Sequence, residues 1–392
     1  MQDNLQNLED ELNYLKIENM YRHIPPIYEK KGNSVVIDGL QLLNLSSNDY
    51  LGISTNNELV KEFCEKFKDS KHFHFSAASS RLLSGNTKIY NDLEKTVANI
   101  FKKEAALIFN TGYQCNLGVV SALVQNGDVV FSDKLNHASI IDGFKLSSGD
   151  FYRYKHLDYS HLEELLEKYR GRYRRAIIIS ESVFSMDGDT ANIQKLIELK
   201  KKYNALLMID EAHAFCSIDD DCAGLGNSPD IDIVTVTFGK ALASSGAAVV
   251  SSNLIINYLV NKARSFIFST VIPPINVMWT NWLLTEKREF LQEQKDKLAS
   301  LVIKTHKYLN EQGMSTNSET HIIPFILKDS RKAEEIAQKL EAQGFFVLPI
   351  RPPSVPIGTS RLRVSLAANI KIEDIKRLFD VIKDEMCVTC QL

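Results

Sequence analysis

Six short apolar runs between residues 105 and 250 constrain this chain more than any other feature. They are "AALIFN" (105–110), "VVFS" (129–132), "AIIIS" (176–180), "ALLMID" (205–210), "IVTVT" (233–237) and "AAVV" (247–250). Each is apolar at successive positions, so a strand made from it must be covered on both faces. Helix-spaced patterns accompany them, as in Leu93, Val97, Ile100 and Phe101, and again in Ile193, Leu196 and Ile197. Strand and helix in alternation predict an α/β fold built on a mostly parallel sheet clothed on both sides.

Outside this region the grammar changes. Residues 1–45 read as an N-terminal segment with a polar helix and a short β pattern, "SVVIDG". A large domain is expected over 46–272, ending where the proline pair of "STVIPPIN" interrupts any helix. Residues 273–392 are expected to hold one long connecting helix, carrying Trp279 and Trp282, and a small α+β domain. In that domain Ala333, Ile336, Ala337 and Leu340 keep helical spacing, and Gly344 suits the left-handed position that stops the helix.

Charge excludes some functions. The net charge is −3 and the basic residues are scattered, so neither nucleic acid nor an anionic membrane is an expected partner. No apolar run approaches the roughly 20 residues that span a bilayer, and the opening "MQDNLQNLEDELNYLK" lacks the order of a signal peptide. Six cysteines in 392 residues read as reduced thiols of a cytoplasmic protein. The terminal Cys387 and Cys390 have no second Cys/His pair to complete a metal site, and no metal is expected.

The strands end in polar residues, and in open parallel sheets ligands gather at those ends. "ALLMID" delivers Asp210 and then His213, "AIIIS" delivers Glu181, "VVFS" leads to His137, and "IVTVT" leads to Thr237 and Lys240. The letters "DEAH" also mark a class of helicases, which need a phosphate loop of the form G-x-x-x-x-G-K-[ST]. The candidate "VTVTFGKA" has Val234 in place of the first glycine and Ala241 in place of the hydroxyl, so the ATPase reading fails. A lysine past one strand end, an aspartate at another and a histidine able to stack match what pyridoxal phosphate requires. The amine forms a Schiff base with the aldehyde, and the carboxylate keeps the ring nitrogen protonated so that the ring accepts electrons. A nearby opposite charge moves a pKa by roughly 1–3 units. The small residues after Lys240 (Ala241, Ala243, Ser244, Ser245, Gly246) leave room for cofactor and backbone to approach.

From "LSSNDYLG" (45–52) to "GTSRLRVSLAA" (358–368) the chain resembles the α-oxoamine synthases, a branch of the fold-type I pyridoxal-phosphate enzymes. The motifs that carry the likeness are "SSRLLSGNT", "FNTGYQCNLG", "SDKLNHASIIDG", "ESVFSMDGD", "MIDEAH", "TFGKAL", "FIFST" and "RPPSVPIGTSRLRVSL". The resemblance implies a large, mostly parallel seven-stranded sheet domain and a small C-terminal α+β domain. It implies that Lys240 carries the cofactor, Asp210 binds the pyridine nitrogen, His137 stacks on the ring and His213 reaches the ring hydroxyl oxygen. Gly112, Tyr113 and Thr237 would line the phosphate end, with Glu181 and Ser185 also in the cofactor site. Ser269 and Thr270 match a segment that reaches the phosphate of a second subunit, which implies a homodimer with shared sites. Arg363 matches the residue that binds the substrate carboxylate, a task suited to a planar two-pronged donor, with Asn48 and Ser80 beside the substrate.

Within the family, "RLLSGNT", "ESVFSMDGD" and "TFGKAL" look most like the members that join L-alanine to a pimeloyl thioester, on coenzyme A or acyl carrier protein, in biotin synthesis. Ser80 leaves room for a methyl group where the aminolaevulinate-forming members, which take glycine, carry threonine, and one methylene discriminates by only about 1–3 kcal/mol. Serine- or glycine-using sister synthases, or a non-catalytic partner subunit, are the alternatives. Four departures stand out: "HFHFSAASS" lacks the family's glycines, Cys216, Asp219 and Cys222 replace others, and Tyr90 and Asn369 stand where histidines are usual.

Overall fold

The computed structural model describes residues 3–388 except Asp220 and Ser315. Cys390 lies outside the described residues, as does the side chain of Cys387. Strands are numbered in chain order: β1–β3 are Glu29–Lys31, Ser34–Ile37 and Leu40–Asn44. β4–β10 are Ala105–Phe109, Asp128–Asp133, Asp150–Tyr154, Arg175–Glu181, Leu206–Asp210, Ile233–Thr237 and Ala247–Ser251. β11–β14 are Ile322–Lys328, Phe345–Phe346, Pro349–Ile350 and Ser360–Ser365. The chain forms two compact units, one of residues 1–55, 186–188 and 297–392, the other of 56–185 and 189–296.

The larger unit holds a seven-stranded sheet in the order β4-β10-β9-β8-β7-β5-β6. All six apolar runs are strands of it. The seventh, β6, has the sequence "DFYRY" and pairs in parallel with β5 at the sheet's edge. It carries no apolar run because only Tyr154 of its five residues is buried. β5 to β9 run parallel, whereas β10 is antiparallel to both β9 and β4. The nine residues between β9 and β10 explain the reversal: a parallel return needs a crossover of a dozen or more, and these form a tight turn instead. Lys240 sits on that turn. Gly246 closes it at φ +102, where an added Cβ would lie 2.9 Å from Ile272 and 3.2 Å from Phe238.

The helix Gly112–Leu123 covers one face of the sheet, burying Cys115, Val119, Val120 and Leu123 in a core with Phe109, Ile177, Met208 and Val249. The expected single connecting helix is two, Pro274–Glu286 and Arg288–Glu311, parted at Lys287. The first packs inside the sheet unit against the helix Lys88–Ile100, with Trp282 buried against Phe63. A proline just inside its start and an apolar, buried face make it part of this core rather than a spacer.

The smaller unit has two sheets. β12 pairs in parallel with β3 in the order β1-β2-β3-β12, and β11, β14 and β13 form an antiparallel sheet with β14 central. The helix Ser330–Ala342 buries Ala333, Ile336 and Leu340 and is followed by Gly344 at φ +88, as its pattern predicts. Among the described residues no helix is long and apolar enough to cross a membrane.

The departures also have structural accounts. Ala78, Cys216, Asp219 and Cys222 all adopt left-handed φ, from +48 to +73, where a side chain costs about 1–2 kcal/mol. The chain therefore keeps a glycine-type backbone without glycine. Tyr90 is buried, donates to the Ile272 carbonyl at 2.7 Å and packs under Arg81. Asn369 closes on Gly52, where a Cβ would meet its side chain at 2.7 Å.

Candidate active site

Cross-strand register sets the first part of the site. Glu181 on β7 is opposite Asp210 on β8, and Asp210 is opposite Thr235 on β9, so the parallel strands present their carboxyl ends together. Past β8 the chain turns through His213, whose Nε2 stands 2.7 Å from Lys240 Nζ on the β9–β10 turn. The cation and the imidazole, 27 residues apart in sequence, thus share one end of the sheet.

Asp210 is almost fully buried. Its Oδ1 accepts from the Ala212 backbone at 2.9 Å and its Oδ2 from Asn116 Nδ2 at 2.6 Å. Asn116 also reaches Ser139 Oγ at 3.0 Å, and Ser139 Oγ lies 2.8 Å from His137 Nδ1. A buried chain of polar groups therefore links the aspartate to the histidine. His137 caps the helix Ala138–Lys145, accepting from the Ser139 backbone, and its own backbone N–H donates to Glu181 Oε1 at 2.6 Å. Burial lowers the His137 pKa, against the opposing Asp210 charge and with the help of the Lys240 charge, so the ring is held neutral. Burial, then the neighbouring Asp210 charge, pushes the Glu181 carboxyl well above the usual range. That shift favours the neutral acid and so lessens the burden of a second buried anion beside Asp210.

The other end of the site is the N-terminus of the helix Gly112–Leu123, capped by Thr111, whose hydroxyl accepts from Gln114 at 3.1 Å. The first backbone N–H groups of a helix have no partner within it and favour an anion. A Cβ on Gly112 would be 3.5 Å from that of Thr237, so the two expected phosphate-end residues are neighbours. Tyr113 is partly exposed, stands edge-on to His137, and its hydroxyl donates to Asp142, which raises its pKa. Ser185 is half-buried in the turn after β7. Ser80, Ser269 and Thr270 lie together on adjoining segments: Ser79 accepts from the Val271 backbone at 3.1 Å, and the Thr270 carbonyl accepts from Asn110 at 2.6 Å. The Ser80 loop is anchored by Arg81, which forks onto Glu94.

In the smaller unit Arg363 on β14 and Asn48 are brought together. Arg363 is 7% exposed and donates to Asn48 Oδ1 at 3.2 Å, Tyr50 Oη at 3.3 Å and Ser365 Oγ at 2.7 Å.

Sequence reasoning missed Asn116, Ser139, Tyr50 and Ser365 as supporting residues. Asn116 had a signal: it is the one polar residue among the buried positions of its helix, and a buried polar group requires a partner.

A mixed seven-stranded sheet with a lysine on the turn after one strand, an aspartate closing another and a helix N-terminus beside them defines a fold-type I pyridoxal-phosphate enzyme. The model of the family "Aminotransferase class I and II" matches residues 41–382, and the chain belongs to that family, in its α-oxoamine synthase branch. It is 45% identical over 368 residues to a putative 8-amino-7-oxononanoate synthase of Glaesserella parasuis, covering 91% of this chain and 94% of the relative. It is 41% identical over 371 residues to the 8-amino-7-oxononanoate synthase of Chlorobaculum parvum, covering 93% and 94%. Among solved structures, a serine palmitoyltransferase from S. paucimobilis with a bound PLP–myriocin aldimine superposes with a TM-score of 0.87 at 25% identity, over the whole of both chains. The 8-amino-7-oxononanoate synthase of Francisella tularensis gives 0.73 at 25% identity, over 89% of this chain and 98% of that one. The cofactor of this chain is pyridoxal phosphate.

Proposed function

We propose that the chain condenses L-alanine with a pimeloyl thioester, releasing carbon dioxide and the free thiol and yielding 8-amino-7-oxononanoate for biotin synthesis. Identity of 40–45% to curated relatives of that name, across more than nine-tenths of the chain, is the observation that carries the reading. A serine palmitoyltransferase-like reaction has weaker support, since those structures share about a quarter of their residues with this chain despite the closer superposition.

Pyridoxal phosphate, when bound, supplies an electron sink for negative charge at the amino-acid Cα. The residues around it have proposed tasks that fit their chemistry. Lys240 Nζ would take the Cα proton and return one at the end, with His213 alongside to hold the amine in place. Asp210, fixed by Asn116 and the Ala212 backbone, would set an anion against the ring nitrogen. His137, held neutral, would cover the ring face, with Glu181 fixing its backbone. Gly112, Tyr113 and Thr237 would receive the phosphate at a helix N-terminus, and Ser185 would also contact the cofactor. Arg363 and Asn48 would bind the substrate carboxylate, and Ser80 would bound the space for the alanine methyl group. Ser269 and Thr270 would complete the phosphate site of a second copy, making the active form a cytoplasmic homodimer.

The test is an assay of purified, cofactor-loaded protein with L-alanine, L-serine and glycine, each against pimeloyl and palmitoyl thioesters on coenzyme A and on acyl carrier protein. Alanine with a pimeloyl thioester is expected to give the highest kcat/KM and a product of the mass of 8-amino-7-oxononanoate. A preference for serine with the palmitoyl thioester would overturn the reading.

A further inference from the structure

The loop that follows His213 contains two thiols that the chemistry above does not use. Cys216 and Cys222 are six residues apart, and the Cys216 backbone N–H donates to the Cys222 carbonyl at 3.1 Å. The bond lies within a run of turns, with both residues at left-handed φ (+58 and +64), and it holds their backbones side by side in one loop. Their side chains also meet, since the Cys216 thiol hydrogen-bonds the Cys222 sulfur. Both are free thiols.

The two sulfurs have unlike surroundings. Cys216 is wholly buried and burial raises its pKa well above the ordinary thiol value. Cys222 is only half-buried and is drawn down to about 7, first by the hydrogen bond from Cys216 and then, against the opposing effect of burial, by Lys295 and Arg288. Lys295 is itself buried, and its ammonium also donates to the Asp219 carbonyl at 2.8 Å, which fixes it within the loop. This places a thiolate-prone sulfur with solvent access beside a sequestered thiol.

We propose that Cys216 and Cys222 are a redox modification site that closes to a reversible disulfide when a hydroperoxide reaches Cys222. The Cys222 thiolate attacks the peroxide O–O bond, forming a sulfenic acid and releasing the alcohol, or water from hydrogen peroxide. The Cys216 thiol then displaces the sulfenic hydroxyl, the S–S bond forms and a second water leaves. The two sulfurs together lose two electrons and two protons, and the peroxide takes them up.

Closure occurs close to the cofactor site. Cys216 stands in a run of turns that begins at Glu211 and His213: Phe215 N–H donates to the Glu211 carbonyl at 2.8 Å, and Ser217 Oγ donates to the His213 carbonyl at 2.9 Å. Drawing the sulfurs into a bond shifts the turn that carries His213 and so the imidazole beside Lys240.

Both cysteines fall in the single tryptic peptide 203–240, whereas Cys387 and Cys390 fall together in 384–392, which makes the test direct. The cofactor-loaded full chain is treated with hydrogen peroxide, alkylated with iodoacetamide and digested without reductant. Peptide 203–240 is expected to lose about 2 Da, take up no alkyl group, and regain two alkylation sites after dithiothreitol. Cys216→Ser protein is expected to trap dimedone on Cys222. The visible absorbance of the bound cofactor is expected to shift on closure and to return on reduction. Full alkylation of peptide 203–240 after peroxide, closure confined to 384–392, or oxidation of Cys222 to the sulfinic acid while Cys216 still alkylates would each overturn the site. Closure with an unchanged cofactor spectrum would overturn its coupling to His213.

Discussion

Asn116 Nδ2 stands 2.6 Å from Asp210 Oδ2, and the same amide reaches Ser139 Oγ, the neighbour of His137 Nδ1. One helical side chain therefore fixes the orientation of the carboxylate and ties it to the histidine. Neither residue needs Asn116 as a chemical participant, so its effect is expected through position.

Replacing Asn116 by Leu should leave the Asp210 carboxylate short of one buried donor. A hydrogen bond to a charged group contributes about 1.5–3 kcal/mol, so cofactor affinity, followed by absorbance titration, should weaken about 10- to 100-fold. Asn116→Gln should recover little, because the longer side chain misplaces the amide. Unchanged affinity in Asn116→Leu would show that the Ala212 backbone alone holds the aspartate.

The imidazole of His156 bridges Asp133 and Asp189, with 2.9 Å from each ring nitrogen to a carboxylate oxygen. Burial disfavours its charge, but the two carboxylates prevail and its pKa rises to about 10. A raised folded pKa stabilises most below the unfolded value near 6.5, and that contribution fades as pH climbs toward 10. The gap in thermal midpoint between wild type and His156→Gln should thus be widest at pH 6, where the clamp contributes a few kcal/mol, and should shrink by pH 9.5. An equal gap at both values would mean that the ring acts there as a neutral spacer.

Much of this architecture was legible because burial on two faces leaves an unmistakable trace. β4, β5 and β7 to β10 are apolar runs for that reason, and the residues closing them, Glu181, Asp210 and Thr237, follow directly. β6 was not legible, since an edge strand with exposed Asp150, Phe151 and Arg153 has no such composition. The antiparallel sense of β10 was hidden too, because an interior strand looks alike in either direction, and only the nine-residue connection from β9 discloses it. Pairings such as Asn116 with Asp210, 94 positions apart, depend on how a helix rotates over a sheet, which no local pattern encodes.

Arg363 donates at once to Asn48, Tyr50 and Ser365, an arrangement that holds the plane of the guanidinium. Arg363→Lys keeps the charge but loses the fork that grips a carboxylate with two parallel bonds. With the proposed carboxylate role, KM for the amino acid should rise about 10- to 100-fold, with a smaller change in kcat. The cofactor spectrum without amino acid should stay as in wild type. Parallel losses in KM, kcat and cofactor binding would instead point to a folding defect in this sheet.

Ser80 tests the amino-acid preference most directly. Its carbonyl accepts from the Leu83 and Gly85 backbones at 3.2 and 3.0 Å, and the adjoining Arg81 locks the loop onto Glu94. The backbone is therefore fixed, and a change of side chain alters the space in front of it rather than the loop itself. Ser80→Thr adds one methyl group. In a pocket bounded by this residue, that is worth about 1–3 kcal/mol against alanine relative to glycine. The ratio of kcat/KM for alanine to that for glycine should accordingly fall by roughly 10- to 100-fold. Ser80→Ala, which removes an oxygen and adds no bulk, should leave alanine favoured. If threonine left the ratio unmoved, Ser80 would not bound the substrate methyl group, and the preference for alanine would have to arise elsewhere in the site.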